Sequence, residues 1–212
     1  MQVCNSQVLV VVLNGNKMAR TKNFNQDEVL DKAVALFWEK GFNATSANDL
    51  VEKLGLSRSS LYDTYGDKRT LFIKSLERYR SQIVENMIVM INTSSDIKVT
   101  IQEIFNLIIS QDINEKIPIG CFMVNSAIEM SAIDKEVAEI VKQNQKDVEQ
   151  SFEKAISKGQ KEGKISVFLN SKKMSKFYFN SITGIRVALK YNKNQNDINE
   201  IVKINLSILE NR

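Results

Sequence analysis

Apolar residues recur along most of the chain at spacings of three and four, and no run alternates strictly for more than a few residues, so the pattern predicts helix nearly throughout. From Asn25 the positions Val29, Leu30, Ala33, Val34, Leu36 and Phe37 share one face, with Asp27 and Glu28 in the first turn, where the helix dipole favours anions. Gly41 supplies a left-handed stop, with Phe42 as its apolar partner. A short helix through Lys53 follows, capped by Thr45 or Ser46, with Leu50, Val51 and Leu54 apolar; Gly55 ends it and Ser57 caps a third helix at once. Helix, short glycine turn, helix is the spacing of a helix-turn-helix unit. Asp67 then caps a much longer helix, whose stripe Leu71, Phe72, Ser75, Leu76, Tyr79, Ile83, Met87 and Met90 has to leave the N-terminal unit and enter the rest of the protein.

Past a polar loop at 92–96, amphipathic stretches span 97–111, 118–131 and 134–162, and Pro118 suits a first helical turn because its missing N–H has no partner there anyway. Two last helices are expected near 171–191 and 197–209. The final one is apolar around much of its circumference at Ile198, Ile201, Val202, Ile204, Leu206, Ile208 and Leu209, so more than one surface has to cover it. The expected fold is all-α with about nine helices.

Composition narrows the chemistry. The 212 residues contain no histidine, which removes histidine relays, histidine-bound zinc and an imidazole base. Two cysteines, Cys4 and Cys121, supply neither a disulfide framework nor a thiolate zinc site, so no metal and no cofactor is expected. The net charge of +4 is compatible with a polyanion partner. Residues 18–80 hold eleven basic against nine acidic side chains, so a nucleic-acid face has to come from local placement. The longest apolar run, Val8 to Leu13, is far shorter than the ~20 residues a membrane span needs. Nothing positive precedes it before Lys17, so it does not read as a secretory leader, and a cytoplasmic, reduced setting is expected. Residues 1–17 read as a misassigned start or weakly ordered tail ahead of Met18; the alternative is a β-prone element that pairs with other chains.

Residues 45–72, Thr-Ser-Ala-Asn-Asp-Leu-Val-Glu-Lys-Leu-Gly-Leu-Ser-Arg-Ser-Ser-Leu-Tyr-Asp-Thr-Tyr-Gly-Asp-Lys-Arg-Thr-Leu-Phe, closely resemble the DNA-binding signature of the tetracycline-repressor (TetR/AcrR) family of bacterial transcription regulators. Phe37-Trp38-Glu-Lys-Gly-Phe42 is similar to the family's first helix and its exit. The resemblance implies a three-helix, helix-turn-helix DNA-binding domain at 18–66, and a helical effector-binding and dimerisation domain at 67–212. It implies a third helix in the major groove of duplex DNA, where Arg58 is placed for a guanine and Ser59, Ser60 and, one turn on, Tyr62 for bases or phosphate, with Ser57 at the cap. Thr45, Ser46, Tyr65 and Lys68 are then expected at phosphates. Ser59 stands where the family often has glycine and Asp63 where it commonly has a histidine or basic residue, a departure that bears on operator sequence.

The same resemblance implies a homodimer through the last two helices, with Gly184 permitting close approach, a palindromic operator, and a small-molecule effector that releases the DNA. Candidate effector contacts are Met87, Met90, Phe105, Ile108, Cys121, Met123, Ile128 and Met130. Cys121 has two readings, a buried free thiol or an electrophile sensor at a helix start. Two other functions stay open: an enzyme using Glu129 and Asp134, or a purely structural DNA binder.

Overall fold

The structure is a computed structural model that describes residues 24–114 and 119–210; the expectations for residues 1–17 and for Pro118 lie outside these. Nine helices are present among the described residues. They are α1 (Gln26–Lys40), α2 (Ala47–Leu54), α3 (Arg58–Tyr65), a long α4 over 68–92, α5 (Ile97–Asn114), α6 (Phe122–Met130), α7 (Lys135–Lys161), α8 (Ser171–Ala188) and α9 (Gln195–Ser207). The long α4 is an α-helix over Lys68–Tyr79, a π-helical turn over Arg80–Val84 and an α-helix again over Glu85–Asn92.

Each early boundary has a local cause. The Asn25 side chain accepts from Asp27 N, the Ser57 side chain from Ser60 N and the Asp67 side chain from Thr70 N. Ser46, not Thr45, starts α2: it accepts from Asp49 N while the Asp49 carboxylate accepts from Ser46 N, a reciprocal capping box. The helix expected from residue 118 begins only at Phe122, because Cys121 is extended (φ −106°, ψ 126°) and Gly120 turns with φ 67°. The helix expected to start at 197 starts at Gln195, capped by Asn194, and the one expected to reach 191 ends at Ala188.

An aromatic file joins the N-terminal unit to the rest. Phe37 of α1 meets Phe72 of α4 edge-on, Phe72 meets Phe122 of α6, and Phe122 meets Tyr79, which in turn packs against Trp38. Such edge-to-face pairs fix ring orientation as well as burying area. The file therefore ties α1 to α4 and both to α6. The most extensive helix pair is α7 with α8, around Phe152 and Tyr178. Tyr178 is fully buried and its hydroxyl donates to Asn205 O of α9 at 2.9 Å.

The last two helices keep an apolar surplus on the outside. Ile198, Val202 and Leu209 are buried, whereas Ile201 and Ile204 are 42% and 65% exposed, alongside Phe177 at 37% on α8.

Candidate nucleic-acid interface and effector cavity

The surface of α3 grows out of its cap. Ser57 Oγ accepts from Ser60 N at 3.2 Å, donates to Ser60 Oγ at 2.9 Å and lies 3.1 Å from Ser59 Oγ. Leu61 and Tyr65 bury the opposite face against the core. What remains outward is Ser57, Arg58, Ser59 and, on the second turn, Asp63, with Ser60, Tyr62 and Thr64 partly exposed. Arg58 makes no hydrogen bond or ion pair among the described residues. Its guanidinium, with five donors in a fixed fork, stands free at the N-terminal end of an exposed helix. Ser46 is exposed as well, at the start of α2.

Three expected phosphate contacts are placed differently, and each has a physical reason. Thr45 is 1% exposed and its hydroxyl donates to Gly41 O at 2.6 Å, so the threonine staples the exit of α1. Tyr65 is buried in the core, and its hydroxyl donates to Gln26 O at 3.4 Å; burial pushes the phenol up. Lys68 turns back: its ammonium donates to Thr45 O at 2.5 Å and sits 4.4 Å from the Phe42 ring centroid. It thereby satisfies a loop carbonyl and packs on an aromatic face. A pair not anticipated, Lys40 Nζ to Asp49 Oδ1 at 2.7 Å, joins α1 to α2 and, with the Ser46 bonds, holds the Asp49 carboxyl far below the usual carboxylate range.

Beneath α4 lies a cavity of about 300 Å³ bounded by α4, α6, α7 and α8. Of the expected effector contacts, Met87, Cys121, Met123 and Ile128 line it. The others do not. Phe105 and Ile108 of α5 are 0% and 3% exposed within the core, and Met130 is buried where α6 ends. Met90 lines a shallow outer groove beside Thr93 and Glu103. The resemblance implied a pocket among the fourth to seventh helices, which anticipated α7 but not α8, and sequence reasoning named no lining residue on either, notably Asn144, Val148, Phe179 and Arg186. Their signal was weak because Asn144 and Arg186 are polar positions on otherwise amphipathic helices. Cys121 is buried at the cavity wall, where Tyr79 Oη donates to its sulfur at 3.5 Å; burial, and then the nearby thiol, push the Tyr79 phenol well up.

The π-helical turn sits beside this cavity. Ile83 and Val84 of the turn line it, while Arg80 bonds Asp147 of α7. A π-helical turn is a recurrent feature of functional sites in helices.

The two carboxylates considered for catalysis have other duties. Glu129 of α6 accepts from Phe42 N at 2.9 Å and Asn43 N at 2.6 Å, so it clamps the exit of α1 to the cavity helices. Asp134 caps α7 by accepting from Glu136 N and Val137 N and takes two bonds from Arg69 of α4, at 2.5 and 2.9 Å. No group of three or more metal-ligating side chains occurs among the described residues, and no described helix is long and apolar enough to cross a membrane.

A capped pair of short helices with a free arginine at the head of the second, braced against a larger helical body with a partly open cavity, defines a helix-turn-helix regulator. Residues 29–74 match the sequence profile described as bacterial regulatory proteins, tetR family, and residues 100–204 match that of the tetracyclin repressor-like C-terminal domain. The chain belongs to the TetR family of bacterial transcription regulators. Among its relatives, the uncharacterized HTH-type transcriptional regulator YezE of Bacillus subtilis is 27% identical over 194 residues, covering 91% of this chain and 100% of the relative. The HTH-type transcriptional repressor ComR of Escherichia coli is 27% identical over 172 residues, covering 81% and 82%. The fold is that of the TetR-family regulator CifR solved as a cysteine mutant with 26-bp operator DNA, with a TM-score of 0.79 at 19% identity over 90% of this chain and 100% of that one.

Proposed function

We propose that the protein is a cytoplasmic, homodimeric repressor that binds a palindromic operator through α3 and releases it when a small molecule fills the cavity between α4, α6, α7 and α8. Residues 18–66 form the reading head and 67–212 the sensing and dimerising body. The observation that carries this reading is Arg58, exposed and unpaired at the start of a helix whose other face is locked in the core. An arginine held so, with Ser57, Ser59 and Ser60 beside it, offers bidentate donors to guanine and hydroxyls to bases or phosphate. Ser46 presents a helix N-terminus to the backbone. The relative ComR is a transcriptional repressor and CifR was solved on operator DNA, which supports the same role here.

Release requires only that the effector prefer the conformation that does not fit DNA. Two links support coupling. Ile83, Val84 and Met87 of α4 touch the cavity, and Glu129, next to the cavity residue Ile128, grips Phe42 and Asn43 at the edge of the reading head.

The test is a gel shift at fixed salt with DNA from the protein's own upstream region and a scrambled fragment of equal length. The upstream fragment should shift at concentrations at which the scrambled one stays free, and Arg58→Ala should lose most of that preference, about 1–3 kcal/mol. Equal affinity for both fragments would contradict the proposal.

A further inference from the structure

The cavity wall carries a single formal charge. Arg186 of α8 is partly buried there, makes no hydrogen bond or ion pair among the described residues, and shares the wall with no aspartate or glutamate. A guanidinium beside an apolar space lacks the strong, charge-assisted partner that a carboxylate provides. A second group is also unmet: Asn144 of α7 is 6% exposed and its amide oxygen has no hydrogen-bond partner, which leaves an acceptor waiting for a donor. The rest of the surface is apolar, with Tyr79, Met123, Val148 and Phe179 from four different helices. A volume of about 300 Å³ equals that of about ten waters, and suits a ligand on the order of ten to fifteen non-hydrogen atoms.

We infer that the effector is a small apolar monoanion: a flat or branched hydrocarbon body with one acidic head on Arg186 and one hydroxyl or N–H donating to Asn144. This rests on the cavity being the effector site. A cationic ligand would repel Arg186, and a neutral one would offer it no charge-assisted bond. Tyr79, whose hydroxyl donates to Cys121, is within electrostatic reach of Arg186 and shares the same wall.

Calorimetric titration of the full chain with hydroxynaphthoate, hydroxynaphthamide, naphthoate and naphthylmethylammonium tests this. Hydroxynaphthoate should bind at least about ten-fold tighter than its neutral amide, and the ammonium compound weakest of all. Arg186→Gln should erase the acid-over-amide preference and Arg186→Lys should keep most of it, while Asn144→Ala should erase only the advantage of hydroxynaphthoate over naphthoate. Amide and acid binding alike to the wild-type chain, or a preference that survives Arg186→Gln, would overturn the anion assignment while leaving the cavity as a binding site. A failure of all four compounds to bind at millimolar concentration would overturn the cavity reading itself.

Discussion

Arg58 and Lys68 carry the same charge within one short motif, yet the fold uses them in opposite ways. Arg58 is free and exposed, whereas Lys68 is folded back onto Thr45 O and the Phe42 ring. Removing Lys68 should therefore weaken the head itself: Lys68→Ala is expected to lower folding stability by about 1 kcal/mol, seen as a lower thermal midpoint, whereas Arg58→Ala should leave that midpoint unchanged. Matching losses of stability in both variants would refute the division of labour. Residue types announce what a side chain is able to do but not which way it faces. Serine, arginine and tyrosine in the motif marked the reading surface, and Ser57, Arg58 and Ser59 do face outward. Thr45 and Tyr65 carry the same hydroxyl chemistry and were indistinguishable from them, because residue type does not reveal that the Thr45 hydroxyl turns back onto Gly41 O four residues earlier or that Tyr65 packs toward Gln26 of α1.

At the scale of elements, the starts of α1 to α4 and α7 were legible because caps are local, whereas those at Phe122 and Gln195 were not. Asn25, Ser57, Asp67 and Asp134 are all short polar side chains three or four residues ahead of the first apolar position of their helix, and each accepts from the backbone it precedes. The π-helical turn at Arg80–Val84 had no such signal: it carries no side-chain cap, and its contact with α7, Arg80 to Asp147, joins residues far apart in the chain. Asp134 shows how one cap becomes a joint: it starts α7 and also receives Arg69 of α4. The Arg69 bond, assisted by the backbone N–H groups of Val137 and Glu136, lowers its pKa to about 2. A carboxyl depressed in the folded state stabilises the fold above its unfolded pKa of ~3.9, and that contribution disappears as the pH falls toward 2. The acid limb of the thermal midpoint should accordingly be shallower in Asp134→Asn than in the wild type between about pH 4 and pH 2. At neutral pH, Asp134→Ala should be destabilised by about 1 kcal/mol, the usual worth of a lost cap. An Asp134→Asn profile parallel to the wild type would show that the carboxylate carries no such linkage. Glu129 is the other joint, and Glu129→Ala should cost about 1–3 kcal/mol by leaving Phe42 N and Asn43 N without their acceptor, a loss that chemical denaturation measures directly.

For the whole molecule, the helical class and the order of the helices followed from periodicity, but the lining of the cavity did not. Apolar stripes on α5 and α6 look alike in sequence. Packing sends Phe105 and Ile108 into solid core and leaves Met123 and Ile128 around a space, and only the assembled helices decide which is which. The apolar surplus of the last helix was legible, and the structure leaves Ile201 and Ile204 exposed, with Phe177 of α8 exposed as well and open space around Gly184. If these form the dimer face, Ile204→Glu should halve the particle mass in sedimentation while leaving helical content intact, because that side chain is 65% exposed within the single chain. An unchanged mass would move the dimer face elsewhere. The most direct test of the central claim is a chemical footprint of the protein on its own upstream DNA. Two protected half-sites of inverted sequence, centred about one helical turn apart, are expected, both losing protection together in Arg58→Ala. Protection that is absent, single-sided or indifferent to Arg58 would contradict it.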